Sequence, residues 1–322
     1  MKYNTDNFFD YLYSKRKNEP LSSCRDADEL HMLSDDKYIR LHTALGLDKL
    51  ENMYSGVSVS ETGNNELCLE ILPELLTPLW ILEPKCHNGK TVLYLPGHDK
   101  YGARGSFSDY GQKDPFHKWL PLKLRESGYR VLVPELIGFG ETIKEIYSDG
   151  YKGCYAHSEL LLMHGMTLAG LRTFQAQCVM DAATERFGTD SFLVYGVSGG
   201  GFIASLLISA DSRIETAVIS NYGASFRTSI MAMRHCVDNY IPGILDIGEC
   251  ADIIGIGAPL PLLLTNGKND RIFPHNGVCE TADELKKIYT ILGKPENFVN
   301  HTHSGIHETD TEAVIEFFSK FS

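Results

Sequence analysis

The sequence predicts a doubly wound α/β fold: an open, mostly parallel sheet with helices on both faces. Three observations predict it. From about residue 66 short apolar runs alternate with helix-length segments to the C-terminus. The runs are continuous in Val, Leu and Ile rather than strictly alternating, as parallel strands covered on both faces require. With 322 residues, 43% hydrophobic and 22% charged, the chain can bury a full core without disulfide or metal staples.

Residues 1–65 are polar and carry two amphipathic stretches, at 7–15 and 37–47, the second stopped by Gly46. They read as a helical N-terminal extension that packs on the core and carries no catalytic candidate. Residues 66–322 form the α/β domain. ELCLEIL and PLWILEP read as a short antiparallel pair. Strands are expected at 91–97, 129–136, 191–198, 216–223, 259–267 and 297–303. Helices are expected in FHKWLPLKLRES, TLAGLRTFQAQCVMDAATERFG, GFIASLLIS, TADELKKIYTILG and the terminal TDTEAVIEFFSKF. In the longest, Leu168, Leu171, Phe174, Cys178 and Ala182 recur at three- and four-residue steps and mark a core face. Two connections, 138–166 and 224–258, exceed what a crossover needs and are rich in aromatics, Met and His. They read as cap-like insertions above the C-terminal ends of the strands, where open α/β sheets place ligands.

Composition removes whole classes of function. Thirty basic against 42 acidic side chains give a net charge of −12, the wrong sign for a surface that neutralises phosphates, so no nucleic-acid partner is expected. The longest apolar run, 253–264, is short and broken by Gly and Pro, so no membrane span is expected. The first residues lack an apolar signal core, and a soluble, cytoplasmic chain is the expectation. Eight cysteines are scattered at 24, 68, 86, 154, 178, 236, 250 and 279, with no C-x-x-C pair and no zinc spacing. They read as buried thiols without a role.

The most informative stretch is FLVYGVSGGGFIASLL. Gly196-Val197-Ser198-Gly199-Gly200 is a G-x-S-x-G match with an apolar strand before it and a helix after it. A serine on so sharp a turn is forced into a strained conformation. The glycines two positions either side are needed because strand and helix approach too closely for a Cβ. The turn lifts the Ser198 hydroxyl clear of the sheet at a helix N-terminus, where the Gly199 amide can stabilise an oxyanion. A glycine-rich turn with an incidental serine is the bland alternative. A phosphate loop would need G-x-x-x-x-G-K-[ST] or G-x-G-x-x-G, and neither is present.

A serine hydroxyl needs a histidine base oriented by a carboxylate. On this arrangement the chain order is Ser, acid, His. Asp270 follows PLPLLLTNG at a strand's C-terminal end, whereas Asp246 and Asp252 follow no clear strand. Of the histidines beyond Asp270, His301 and His303 share a strand, while His307 sits in a loop before the last helix and is the candidate base. H-T-H-S-G-I-H lacks a carboxylate at binuclear-hydrolase spacing, so no metal is expected there. LPGHDKYGARG, with Gly97 making the turn, is the candidate second oxyanion donor through the His98 amide; a turn and nothing more is the bland alternative. Tyr101, Arg104, Tyr222 and His235 are candidate substrate contacts.

Several ordered motifs between 82 and 321 resemble the α/β-hydrolases, and within them the branch of dienelactone hydrolases and acetyl xylan esterases. They are the PGH loop, Pro134-Glu135 followed by Gly138-Phe139-Gly140, LLMHGMTLAGLRTFQAQCVMDA, GVSGGG, DSRIETAVISNYG, NYIPGIL, the APLPLLLTNGKNDRIFP loop and the Gly-x-His before the last helix. The resemblance implies a Ser198–Asp270–His307 triad with the His98 and Gly199 amides as oxyanion donors. Departures are Pro96-Gly97 where many members read His-Gly, Glu135 for a more usual aspartate, and serine where dienelactone hydrolases proper use cysteine.

The expectation is therefore a cofactor-free serine hydrolase that cleaves a small-molecule carboxylic ester, acetyl or another short acyl ester, through an acyl-enzyme. Alternatives with the same triad are a thioesterase, an acyltransferase or an amide or peptide hydrolase. A non-catalytic ligand-binding protein on this fold is the rival from another class. A homo-oligomer is compatible with the sequence.

Overall fold

The computed structural model of the chain describes residues 5–63, 65–109, 115–143 and 153–321. Its strands are β1 (Ser58–Gly63), β2 (Glu66–Leu72), β3 (Leu75–Leu82), β4 (Thr91–Leu95), β5 (Arg130–Pro134), β6 (Phe192–Val197), β7 (Ile214–Ser220), β8 (Leu262–Gly267) and β9 (Phe298–His303). They join in one sheet ordered β1-β2-β3-β5-β4-β6-β7-β8-β9. The first three strands form an antiparallel ribbon whose β3 joins β5 antiparallel; from β5 onward every pairing is parallel. The chain runs from β4 leftward to β5, then rightward to β6 on the other side of β4. That reversal opens a crevice at the C-terminal ends of β4 and β6.

The continuous apolar runs are explained by two cores. In β4, Val92 and Tyr94 enter one core while Leu93 and Leu95 enter the other, and all four are buried. One core is closed by α4 (Leu120–Glu126) and α11 (Thr311–Phe321), which contribute Leu120, Leu124, Val314, Phe317 and Phe318. The other is closed by α2 (Ala27–Leu45), α3 (Leu47–Met53), α6 (Leu168–Phe187), α7 (Gly199–Ala210), α9 (Cys250–Gly255) and α10 (His275–Ile291). The five periodic residues of α6 are all buried, and α6 is buried well beyond that stripe because α2, α3 and α7 all pack on it.

The remaining helices are α1 (Asp6–Ser14), α5 (Cys154–Met163) and α8 (Ile244–Ile247). The N-terminal region holds α1, α2 and α3, as its amphipathic stretches predict, with two differences. The helix expected from 37 begins at Ala27, because the Asp26 carboxylate caps it by accepting from the Glu29 N–H at 2.9 Å. The sheet begins at Ser58 rather than near 66, since polar β1 needs only backbone pairing with β2. Gly46 ends α2 with φ of 77°, as expected of a C-terminal glycine. Likewise α10 starts at His275, six residues before the stretch that reads as helical, directly after Pro274.

The two long connections expected to cover the strand ends fold as short helices and turns. Residues 144–152 of the first fall outside the described residues; its others include the turn Gly140–Thr142 and α5, which packs on the turn Val237–Asn239 of the second. No helix among the described residues is long and apolar enough to cross a membrane.

Candidate active site

Ser198 sits between β6 and α7 with φ of 53° and ψ of −121°, a conformation that only a tightly determined turn imposes on a residue with a Cβ. Its N–H donates to the Ser220 carbonyl at 2.9 Å. The flanking glycines are sterically required. A Cβ on Gly196 would lie 2.2 Å from the Gly200 carbonyl oxygen, and one on Gly200 would lie 2.0 Å from that of Leu95. Strand β4 thus presses directly against the start of α7. The loop after β4 passes beside the nucleophile position as well: a Cβ on Gly97 would sit 3.0 Å from the Ser198 Cβ. This brings the Gly97–His98 segment alongside Ser198 and the α7 N-terminus.

Asp270 follows β8 and is buried. Its Oδ1 accepts from the N–H groups of Ile272 at 2.8 Å and Phe273 at 3.1 Å, which fixes the carboxylate. Its Oδ2 lies 2.7 Å from His307 Nδ1, and His307 Nε2 lies 3.0 Å from Ser198 Oγ. With Nδ1–H donating to the carboxylate, Nε2 is left to accept the serine hydroxyl. Two aromatics stack near the His307 ring: Phe116 at 5.2 Å with planes 7° apart, and Phe273 at 5.9 Å and 20°.

The other candidates divide. His301 pairs with Asp310 at 3.0 Å and His303 accepts from the Gly305 N–H at 3.2 Å, so both belong to the rim of β9. Asp252 is buried against Lys37 and the Leu21 N–H, and Asp246 accepts from the Lys17 N–H; both serve the N-terminal region. Arg104 is held by Glu66 at 3.1 Å and Glu141 at 2.8 Å and lies over the Trp80 ring. Its guanidinium ties the first covering segment to the antiparallel ribbon. The Tyr101 N–H donates to Asp99 at 2.6 Å. Tyr222 and His235 stand one ring from His307: both pack on Phe273, at 4.8 and 5.4 Å. Tyr222 Oη and His235 Nε2 are buried without a hydrogen-bond partner. Burial lowers the His235 pKa.

A buried polar group that sequence spacing does not reveal surrounds the His98 side chain. His98 Nε2 lies 3.1 Å from Asp238 Oδ2 and 3.6 Å from Cys154 Sγ. Burial by itself would lower the His98 pKa, but these two partners outweigh it and raise it to about 9. Buried Arg172 contacts Asp238 and donates to Cys154 Sγ at 3.1 Å. Cys236 Sγ lies within 4.8 Å of Cys154 Sγ. The neighbouring Cys236 thiol and Arg172 lower the Cys154 pKa, while Cys154 and burial raise that of Cys236. These residues come from the β4 loop, both covering segments and α6, so no local motif contains them. Phe116 and Phe273 were equally invisible, as aromatic rings that read only as hydrophobic. An arginine beside the core residue Leu171, in a helix that buries most of its faces, is the one local sign of something unusual.

The sheet order, the strained turn after β6 and the acid and histidine loops after β8 and β9 define the α/β-hydrolase fold, and the chain has that fold. No family model matches the chain. In sequence it is similar to YtaP of Bacillus subtilis (strain 168), whose name classes it with the hydrolases. The two are 25% identical over 256 residues, covering 76% of this chain and 82% of that protein. In structure it is similar to a Bacteroides fragilis NCTC 9343 protein assigned to the acetyl xylan esterases. That pair has a TM-score of 0.77 at 14% identity, covering 99% of this chain and 95% of the other. The methylesterase BT1017 superposes with a TM-score of 0.71 at 18% identity, covering 98% of this chain and 67% of the other.

Proposed function

We propose that the chain is a serine hydrolase that cleaves a short-chain carboxylic ester through an acyl-enzyme. The observation that carries this reading is the continuous hydrogen-bonded line from Ser198 Oγ through His307 to Asp270, at 3.0 and 2.7 Å. Its relatives by fold and sequence bear hydrolase and esterase names, which supports ester cleavage over other acyl chemistry.

Ser198 Oγ attacks the ester carbonyl carbon while its proton passes to His307 Nε2. The carbonyl π electrons move to oxygen, and the oxyanion is stabilised by the amides of Gly199 and His98, each worth on the order of 3 kcal/mol of barrier. Collapse expels the alcohol, which takes the proton from Nε2. A water then repeats the sequence on the acyl-enzyme and releases the acid. Asp270 keeps the imidazole in the reactive tautomer throughout. The His98 side chain packs against the start of α7, where a Cβ on Gly199 would meet its ring at 2.7 Å. Tyr222 Oη and His235 Nε2 are buried, and both rings back Phe273, the ring that stacks on His307.

The test is an acyl panel of acetyl through octanoyl aryl esters, with thioesters and peptides alongside, on wild type and Ser198→Ala. We expect turnover highest on acetyl or propionyl esters, and loss of both turnover and fluorophosphonate labelling in the variant. Wild-type labelling of Ser198→Ala would refute the reading; preference for thioesters would move it to that class.

A further inference from the structure

We propose that His98, Cys154, Cys236 and Asp238 form a binding site for a zinc-class divalent cation beside the oxyanion loop. Their four ligand atoms all lie within 4.8 Å of one another. Two soft thiolates, an imidazole and a carboxylate are a zinc donor set, and four protein ligands make a closed, structural site.

The two separations made by the His98 ring fit. Zinc–sulfur and zinc–nitrogen bonds of about 2.3 and 2.0 Å at the tetrahedral angle put S and N about 3.6 Å apart, and N and O about 3.3 Å apart. Cys154 Sγ to His98 Nε2 is 3.6 Å, and His98 Nε2 to Asp238 Oδ2 is 3.1 Å. Both separations converge on one ring nitrogen. Nε2 carries at most one proton, which sulfur and carboxylate would have to share, whereas its lone pair can point at an ion between them.

Charge fits as well. Two thiolates and a carboxylate supply three negative charges. A divalent ion and the permanently charged Arg172 supply three positive ones, so the loaded cluster is neutral in an otherwise buried setting. Arg172 then acts from outside the ligand set, holding Cys154 and Asp238 in place, while its Nε donates to the Ile137 carbonyl at 2.8 Å. Side-chain exposure of 36% at His98 leaves the ion a way in. An ion here would fasten the β4 loop to both covering segments at once.

The test uses the full chain, reduced, stripped with a chelator and desalted. Titration with Co²⁺ should show one ion per chain and a thiolate-to-cobalt charge-transfer band. X-ray absorption of the zinc form should give two sulfurs at about 2.3 Å and two light atoms at about 2.0 Å. Cys236→Ser should lose about half the charge-transfer intensity, and Cys154→Ser/Cys236→Ser all of it, with a cooperative melt retained. Ser198→Ala should bind as much metal as wild type, so the outcome is read independently of ester cleavage. A first shell without sulfur, or unchanged uptake in the double variant, overturns the proposal. So does a reduced wild type that takes up no metal, including one whose untreated form carries a Cys154–Cys236 disulfide. The absorption and titration data on wild type decide the matter even where the double variant fails to fold.

Discussion

The imidazole of His307 owes its position to three neighbours of different kinds. Asp270 pairs with its Nδ1, while Phe116 and Phe273 stack against it. These contributions separate experimentally. Asp270→Asn keeps the shape but leaves Nδ1 facing a side chain free to present an N–H. We expect kcat to fall by roughly three to four orders of magnitude with KM little changed, measured on the best aryl ester. Phe116→Leu keeps apolar bulk but removes the stacked plane. A loss of about tenfold in kcat, with normal fluorophosphonate saturation at longer times, is the expected result. Gly200 tests the backbone: a methyl there meets the Leu95 carbonyl at 2.0 Å, so Gly200→Ala should destabilise the fold by more than about 3 kcal/mol in urea unfolding.

Among the elements, strands were the most legible, because each central strand places a few apolar residues on both faces and is bounded by turn residues. Edge strand β1 was not legible: all its residues are exposed and its sequence, SVSETG, reads as polar. The start of α2 was missed although the signal is local, an aspartate with glutamate three residues on. Its polar first turns hid the periodicity, and the cap alone marks the boundary. Asp26→Ala should therefore cost about 1 kcal/mol, seen as a lower denaturation midpoint. Ser198, Asp270 and His307 could be selected in sequence because each follows a strand whose end is readable. The His98 cluster could not, because its members meet only after β4, α6 and both covering segments are assembled.

At the level of the whole molecule, Glu135 carries a built-in pH dependence. It is fully buried at the end of β5, where it accepts from the Ala103 N–H at 2.9 Å, and its carboxylate fills the space where Cβ atoms on Gly102 or Gly140 would stand. Burial raises its pKa from 4.5 to about 7 against the pull of those backbone donors. Between those two pH values the native state holds a proton that the unfolded chain has lost. This contribution therefore favours folding below pH 4.5, and stability falls as pH rises towards 7, by up to about 3 kcal/mol. Urea midpoints at pH 5 and pH 8 should differ less in Glu135→Gln than in wild type. An equal pH slope in both would dismiss the assignment.

The N-terminal region and the second covering segment share their polar anchors. Lys37 donates to the Ile247 carbonyl, Asp252 accepts from the Leu21 N–H at 2.7 Å, and the Tyr13 hydroxyl donates to Glu249 at 2.9 Å. The same Glu249 accepts from the Phe226 N–H at 2.7 Å. Anyone seeking a new specificity by transplanting 224–258 from a homologue would thus be cutting through a joint. Such a graft would strand the fully buried Lys37 ammonium. The piece that can be exchanged as a cassette is discontinuous, made of the first helices and this loop together.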